Sequence, residues 1–102
     1  MAVEERGAAP LQLTLSQNAP NPFARTTSVR YLLPSAGPVV GEIYSVAGQR
    51  VRTFARGPQP AGAHTYVWDG TDGSGRRVPA GVYLYRLEAG GLRVSRRALL
   101  LH

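Results

Sequence analysis

Few side chains in this sequence are of the types that do covalent chemistry. The histidines are His64 and His102, and the acids are Glu4, Glu5, Glu42, Asp69, Asp72 and Glu88. No cysteine is present, which removes disulfides, thiolate metal sites and cysteine nucleophiles together. Neither histidine lies in a pattern that sets a nucleophile beside a base, and Gly73-Ser74-Gly75 lacks the strand-to-helix setting of a nucleophile elbow. His64 reads instead as a half-buried strand residue packing near Trp68. The glycines of the Asp69–Gly75 segment are followed by Arg76-Arg77-Val78-Pro79 rather than by a helix N-terminus, so they do not form a phosphate loop. Asp69 and Asp72 are the weak calcium candidates of the chain. Their segment lacks oxygen donors at alternate positions and a closing bidentate glutamate, so turn formation is the default reading. These residues point away from an enzyme, and they call for no cofactor.

The formal charge is +6, and every basic residue is an arginine. The arginines are dispersed, with no run longer than the pairs Arg76-Arg77 and Arg96-Arg97. A nucleic-acid footprint is normally a clustered stripe or patch, so nucleic acid is not the expected partner. Folding could still gather Arg50, Arg52, Arg93 and Arg97 on one face, which leaves adhesion to an anionic surface polymer as a third reading. The longest apolar run among the later residues is Ala98–Leu101, far short of a membrane span, so no membrane insertion is expected.

The elements that must position any site are strands. Residues 1–10 are small, charged and aperiodic, and read as a linker or remnant, with the folded domain over residues 11–102. A chain of 102 residues supports one modest core, so function is expected on a surface, an edge or a loop rather than in a deep cleft. Segments rich in Val, Tyr, Leu and Thr recur between clusters of Gly, Pro, Asn and Asp, which suggests an all-β sandwich or barrel. The expected strands are 12–16, 28–33, 39–46, 50–55, 63–69, 82–89 and 92–101. Val29, Tyr31 and Leu33 share one face, as do His64, Tyr66 and Trp68, and as do Tyr83, Tyr85 and Leu87 opposite Arg86 and Glu88. The core is expected mainly from Tyr31, Leu33, Ile43, Val51, Trp68, Tyr83, Tyr85 and Leu87. Val46–Gln49 and Ala89-Gly90-Gly91 read as hairpin turns, with Gly48 at positive φ. Gly57-Pro-Gln-Pro-Ala-Gly62 is too proline-rich to pair and is expected to arch between sheets.

The most informative segment is Leu15-Ser-Gln-Asn-Ala-Pro-Asn-Pro-Phe23. Pro20 and Pro22 restrict the backbone, Asn18 and Asn21 can satisfy neighbouring amides, and Phe23 can plug the core as the next strand begins. An ordered crossing is expected. This segment is the first of an ordered series: Gln17–Phe23, Val29–Pro34, Glu42-Ile-Tyr44 with Gly48–Arg52, Ala61–His64, Trp68-Asp-Gly70, Gly81–Arg86 and the Leu99-Leu100-Leu101 tail.

That series resembles the C-terminal type A sorting domain of type IX secretion, closely similar to the immunoglobulin-like domain of the flagellar hook-capping protein. The resemblance covers residues 11–102. It implies an immunoglobulin-like antiparallel β-sandwich of about seven strands. It also implies a module that ends larger exported proteins of Bacteroidetes and related bacteria, is read by the outer-membrane secretion translocon, and follows an upstream cargo domain. The expected location is the outer-membrane surface or the extracellular space. Ser45 stands where the family often has Asp, and Gly41 replaces an apolar residue, which suggests a bulge or close backbone approach. Arg96-Arg97 matches the basic pair before the final apolar strand. The expected partner-binding residues are therefore Asn18, Pro20, Asn21, Pro22 and Phe23 of the crossing and Arg96, Arg97, Leu99, Leu100 and Leu101 of the last strand. The alternative is a structural self-assembly module in which residues 11–16 or an edge strand add to a neighbour's sheet, giving surface filaments or layers.

Overall fold

The computed structural model describes residues 12–101. The proposed linker, residues 1–10, lies outside the described residues, as do the two ends of the 11–102 domain. Seven strands follow in order: β1 (Thr14–Leu15), β2 (Thr27–Leu33), β3 (Gly37–Ser45), β4 (Arg50–Gln59), β5 (Gly62–Trp68), β6 (Gly81–Ala89) and β7 (Leu92–Leu100). They form two antiparallel sheets, a three-stranded one ordered β1-β2-β5 and a four-stranded one ordered β4-β3-β6-β7.

The alternation read from the sequence builds the core. Val29, Tyr31 and Leu33 of β2 face Tyr83, Tyr85 and Leu87 of β6 across the sandwich, with Ile43, Val39, Trp68 and Leu100 filling the space between. Trp68 packs against Phe23 on one side and Tyr83 on the other, both at centroid distances of 5.4 Å. Offset and edge-on contacts of this kind add to simple burial. Val51, expected in the core, is only half-buried and packs against its margin. It lies on β4, an edge strand with a neighbour on one side only.

The hairpins follow the glycines. Gly48 has φ 86° and its amide donates to the Ser45 carbonyl, closing the β3–β4 turn. Ser45, the residue at the position the family often fills with Asp, supplies an acceptor there, its Oγ receiving the Gln49 amide at 3.3 Å. Gly90 and Gly91, both with positive φ, make the β6–β7 turn.

Two expectations need correction. Gly57-Pro58-Gln59 does not arch: β4 runs on to Gln59, with Pro58 opposite Pro38 of β3. An edge strand needs ladder partners on one side only, so a proline that would break a central strand is tolerated there. The crossing to β5 is left to Pro60 and Ala61. His64 does not pack near Trp68 but stacks on Tyr31 of the neighbouring strand, ring planes 18° apart, with Nε2 at 2.8 Å from the Pro60 carbonyl. His64 and Trp68, four residues apart on β5, point the same way but lie too far from each other along the strand, whereas the cross-strand neighbour is adjacent.

Of the two alternatives expected at Gly41, the structure has the bulge, and what comes close to the glycine is a side-chain ring rather than another backbone. The ladder shifts register between Gly41 and Glu42, and a Cβ placed on Gly41 would lie 2.6 Å from the Phe54 ring. Phe54 needs that space because it stacks on Tyr66 of β5 and meets the edge of Tyr31, closing the seam between the two sheets on that side.

Candidate recognition site

The opposite seam is closed by the segment from Leu13 to Phe23, here called the strap. Leu13 and Leu15 are buried in the core, and the Ser16 amide donates to the Arg30 carbonyl of β2. After an isolated pairing of Ala19 with Ser28, the chain leaves the three-stranded sheet, passes through Pro20-Asn21-Pro22, and reaches β7, where Phe23 pairs in parallel with Leu100. Both X-Pro bonds in this passage are cis.

The strap occupies the free edge of β7. Gln17 Nε2 donates to the Arg97 carbonyl at 2.6 Å, and the Leu99 amide donates to Asn21 Oδ1 at 2.9 Å. The Phe23 amide donates to the Leu99 carbonyl, and the Leu101 amide returns a bond to the Phe23 carbonyl at 2.7 Å. From the Arg97 carbonyl to the Leu101 amide this edge therefore has its partners within the chain, which removes the usual template for strand addition.

A buried polar knot fixes the bend. The Asn18 amide donates to Tyr85 Oη at 2.7 Å, and that hydroxyl donates to the Ser16 carbonyl at 2.8 Å. Asn18 Nδ2 donates to Thr27 Oγ1 at 2.9 Å, whose hydroxyl in turn donates to the Pro20 carbonyl. Burial pushes the Tyr85 phenol above its ordinary pKa, which keeps the hydroxyl neutral and able to donate. Arg96 reaches across from β7 to the Leu15 carbonyl at 2.7 Å.

The structure thus brings the two expected recognition segments together and divides their residues. Asn18, Phe23 and Leu100 are buried and hold the assembly; they present no surface. Pro20, Asn21 and Pro22 are exposed at the bend. In β7 the side chains alternate, so Ala98 and Leu100 point inward while Arg97 and Leu99 point outward and Leu101 follows them into solvent. Arg96 is exposed but committed to the strap.

Outward side chains on neighbouring strands extend this surface. Leu99 lies opposite Val82, Arg97 opposite Leu84, and Leu84 opposite Tyr44. Tyr44, Val82, Leu84 and Arg97, together with Val46 and Arg86, line an open cleft of about 550 Å³. The guanidinium of Arg86 lies over the Tyr44 ring at 4.7 Å and also donates to its hydroxyl. Tyr44 hydrogen-bonds Glu42, which holds the Glu42 carboxyl below its usual range and raises the Tyr44 phenol. Val82 and Leu84 were legible as apolar residues on the solvent phase of β6; what sequence reasoning missed was their alignment with Tyr44 and Arg97 across three strands.

The Asp69–Gly75 loop is built as turns. Asp69 Oδ1 accepts from the Thr71 amide and hydroxyl, and Asp72 Oδ1 accepts from the Ser74 hydroxyl and the Ser74 and Arg76 amides. The Thr71 and Ser74 hydroxyls are the main reason that both carboxyls titrate below the usual range. Arg52 fills the space beneath, donating to Thr71 Oγ1 and the Asp72 carbonyl. Among the described residues no group of three or more His, Asp or Glu is placed to hold a metal ion.

Two packed antiparallel sheets of three and four strands, with the strap crossing from one to the other, define an immunoglobulin-like β-sandwich. The chain belongs to the FlgD Ig-like domain family, whose model matches residues 23–91. No protein of curated function matches the sequence. Among solved structures, dimeric latent PorU from Porphyromonas gingivalis is similar over 93% of this chain and 10% of its own, at 23% identity and a TM-score of 0.67. FlgD from Xanthomonas campestris, described in terms of the hook capping essential for flagellar assembly, is similar over 84% of this chain and 64% of its own, at 27% identity and a TM-score of 0.57. FlgD from P. aeruginosa is similar over 89% of this chain and 77% of its own, at 24% identity and a TM-score of 0.56. The chain therefore spans about a tenth of PorU and less than two thirds of the Xanthomonas protein.

Proposed function

We propose that this chain is a non-catalytic sorting and attachment module that directs an exported bacterial protein through the outer membrane to the cell surface. The observation that carries this reading is the docking of the Asn18–Phe23 bend onto β7, at the Phe23–Leu100 pairing. These are the two segments that the sequence leads one to expect as the surface read by a secretion partner. In the fold they make one continuous structure whose exposed parts are Pro20, Asn21, Pro22, Arg97 and Leu101, with Leu99 half-buried between them. The likeness in fold to a segment of PorU agrees with a module carried on a longer chain. The partners are then a secretion translocon and an upstream cargo domain, and the location is the outer-membrane surface or beyond it.

Self-assembly by strand addition has less support. Leu13 and Leu15, in the segment suspected as the donor, are buried in the chain's own core, and the Leu15 carbonyl is held by Arg96. Donation would have to undo both.

The test is to remove residues 12–102 from an exported protein that carries the domain and to follow its fractionation. Retention inside the outer membrane is expected, and unchanged surface delivery refutes the reading. Removing residues 92–102 alone is a poorer test, because it strips Ala98 and Leu100 from the core and unfolds the rest.

A further inference from the structure

We infer that the outward face of the four-stranded sheet receives an acidic polypeptide segment that also carries apolar side chains. A carboxylate lies between Arg86 and Arg97, and an apolar side chain rests on Val82 and Leu84. This rests on the sorting reading and names the chemistry of its partner.

Three observations lead there. First, the edge of β7 is already paired from the Arg97 carbonyl to the Leu101 amide, so a partner at this site has side chains to grip rather than free backbone. Second, the face has an apolar floor that the fold does not need for its own core. Val46 at the hairpin tip is 81% exposed, Val82 is 41% exposed, and Leu101 is 45% exposed at the far end of the same stripe. Third, the charge is one-sided. Glu42 is paired with Arg50 and Arg56, and Glu88 with Arg93, which uses up both acids of the face. Arg86 and Arg97 have no ion-pair partner among the described residues, and both line the cleft.

Geometry makes these two arginines a pair. Arg97 lies opposite Leu84 and Arg86 opposite Ser95, so the guanidinium-bearing residues are diagonal neighbours on adjacent strands. Diagonal Cβ atoms lie roughly 7–8 Å apart, a spacing that two arginines can span to grip one carboxylate from both sides. Arg86 is already oriented by its stacking on Tyr44, so less of its freedom remains to be lost on binding.

The experiment is a titration of the isotope-labelled full chain, followed by amide and guanidinium NMR, with a short acetylated peptide of alternating glutamate and leucine. Saturable shifts confined to Tyr44, Val82, Leu84, Arg86 and Arg97 are expected. The Arg97→Gln variant should bind about three- to tenfold more weakly. Arg30→Gln, on the other sheet, should bind as the parent does, and the glutamine-for-glutamate peptide should bind weakly or not at all. The inference is overturned by the absence of shifts in the cleft or by equal binding of the glutamine peptide. Preferential response to phosphatidylglycerol vesicles overturns it in favour of a lipid surface, and concentration-dependent shifts without peptide overturn it in favour of a second copy. Because the sorting reading is tested by export, a failed titration with intact export removes the partner chemistry and leaves the module standing.

Discussion

Replacing Tyr85 by phenylalanine removes one oxygen atom from the point on which the strap turns. The ring stays, so the core volume and its contacts with neighbouring strands are conserved. What is lost is the acceptor for the Asn18 amide and the donor to the Ser16 carbonyl. The two losses are unequal. Ser16 is exposed and its carbonyl can take a water, whereas Asn18 is 2% exposed and its amide is left without a partner in a dry site. A buried donor stranded in this way costs about 1–3 kcal/mol, and the exposed carbonyl adds less, so the expected destabilisation is about 2 kcal/mol. For a domain of this size that is a fall in Tm of about 10 °C.

The control is Tyr83→Phe. That hydroxyl donates to the Pro79 carbonyl, on an exposed residue that water can satisfy, so its loss is expected to cost about 0.5–1 kcal/mol. Urea unfolding should show a lower midpoint for Tyr85→Phe with an unchanged slope, and hydrogen exchange should show faster opening at Asn18, Phe23 and Leu101. If Tyr85→Phe unfolds within about 0.5 kcal/mol of the parent and the strap amides keep their protection, the polar knot does not hold the strap and the reasoning fails.

Further outcomes follow from the same contacts. Gly41→Ala pushes a methyl group into the Phe54 ring and should destabilise by about 1–3 kcal/mol; combining it with Phe54→Leu should recover part of that loss, a coupling read directly in a double-mutant cycle. Leu100→Ala should cost about 2–5 kcal/mol, since the side chain is wholly buried, while Leu101→Ala beside it should cost under about 0.5 kcal/mol. The tyrosines Tyr31, Tyr66, Tyr83 and Tyr85 are raised by burial and Tyr44 by its bond to Glu42. A raised folded pKa favours the native state fully below the unfolded value, and that advantage is lost as pH rises, so stability should decline above about pH 10, with tyrosinate absorbance appearing later in the folded chain than in urea. Asp69 and Asp72 are lowered, so their contribution is present above about pH 4 and is lost as pH falls through their folded values; the Thr71 and Ser74 amide resonances should move in that acid range.

Much of the sandwich is legible in the alternation of its strands, because a one-residue slip would turn Val29, Tyr31 and Leu33 into solvent. The glycine turns at Gly48 and at Gly90-Gly91 are legible for the same local reason. Reading fails where a tertiary neighbour decides. Pro58 becomes part of a strand because β4 lies at an edge, and nothing near Pro58 in sequence says so. His64 finds Tyr31 because β5 pairs with β2, a choice made across about thirty residues of chain. At the candidate recognition site the pattern of Leu99, Leu100 and Leu101 reads as one apolar tail, yet strand parity makes the middle residue core and turns the outer two to the opposite face. The meeting of the strap with β7 could be expected from the family order of the motifs, but the role of Tyr85 as the hinge of that meeting depends on a hydroxyl that the sequence counts only as an aromatic core residue.

On the sorting reading, the strap and β7 are a rigid mount that presents one side-chain surface to a sorting partner. Its most direct test is sufficiency: residues 12–102 fused behind an unrelated reporter that bears its own signal for crossing the inner membrane, expressed in a bacterium with type IX secretion, with the reporter scored by surface labelling of intact cells. The reporter is expected on the surface with the domain and inside the outer membrane without it. A folded fusion that stays inside, or a reporter that reaches the surface equally well alone, contradicts it.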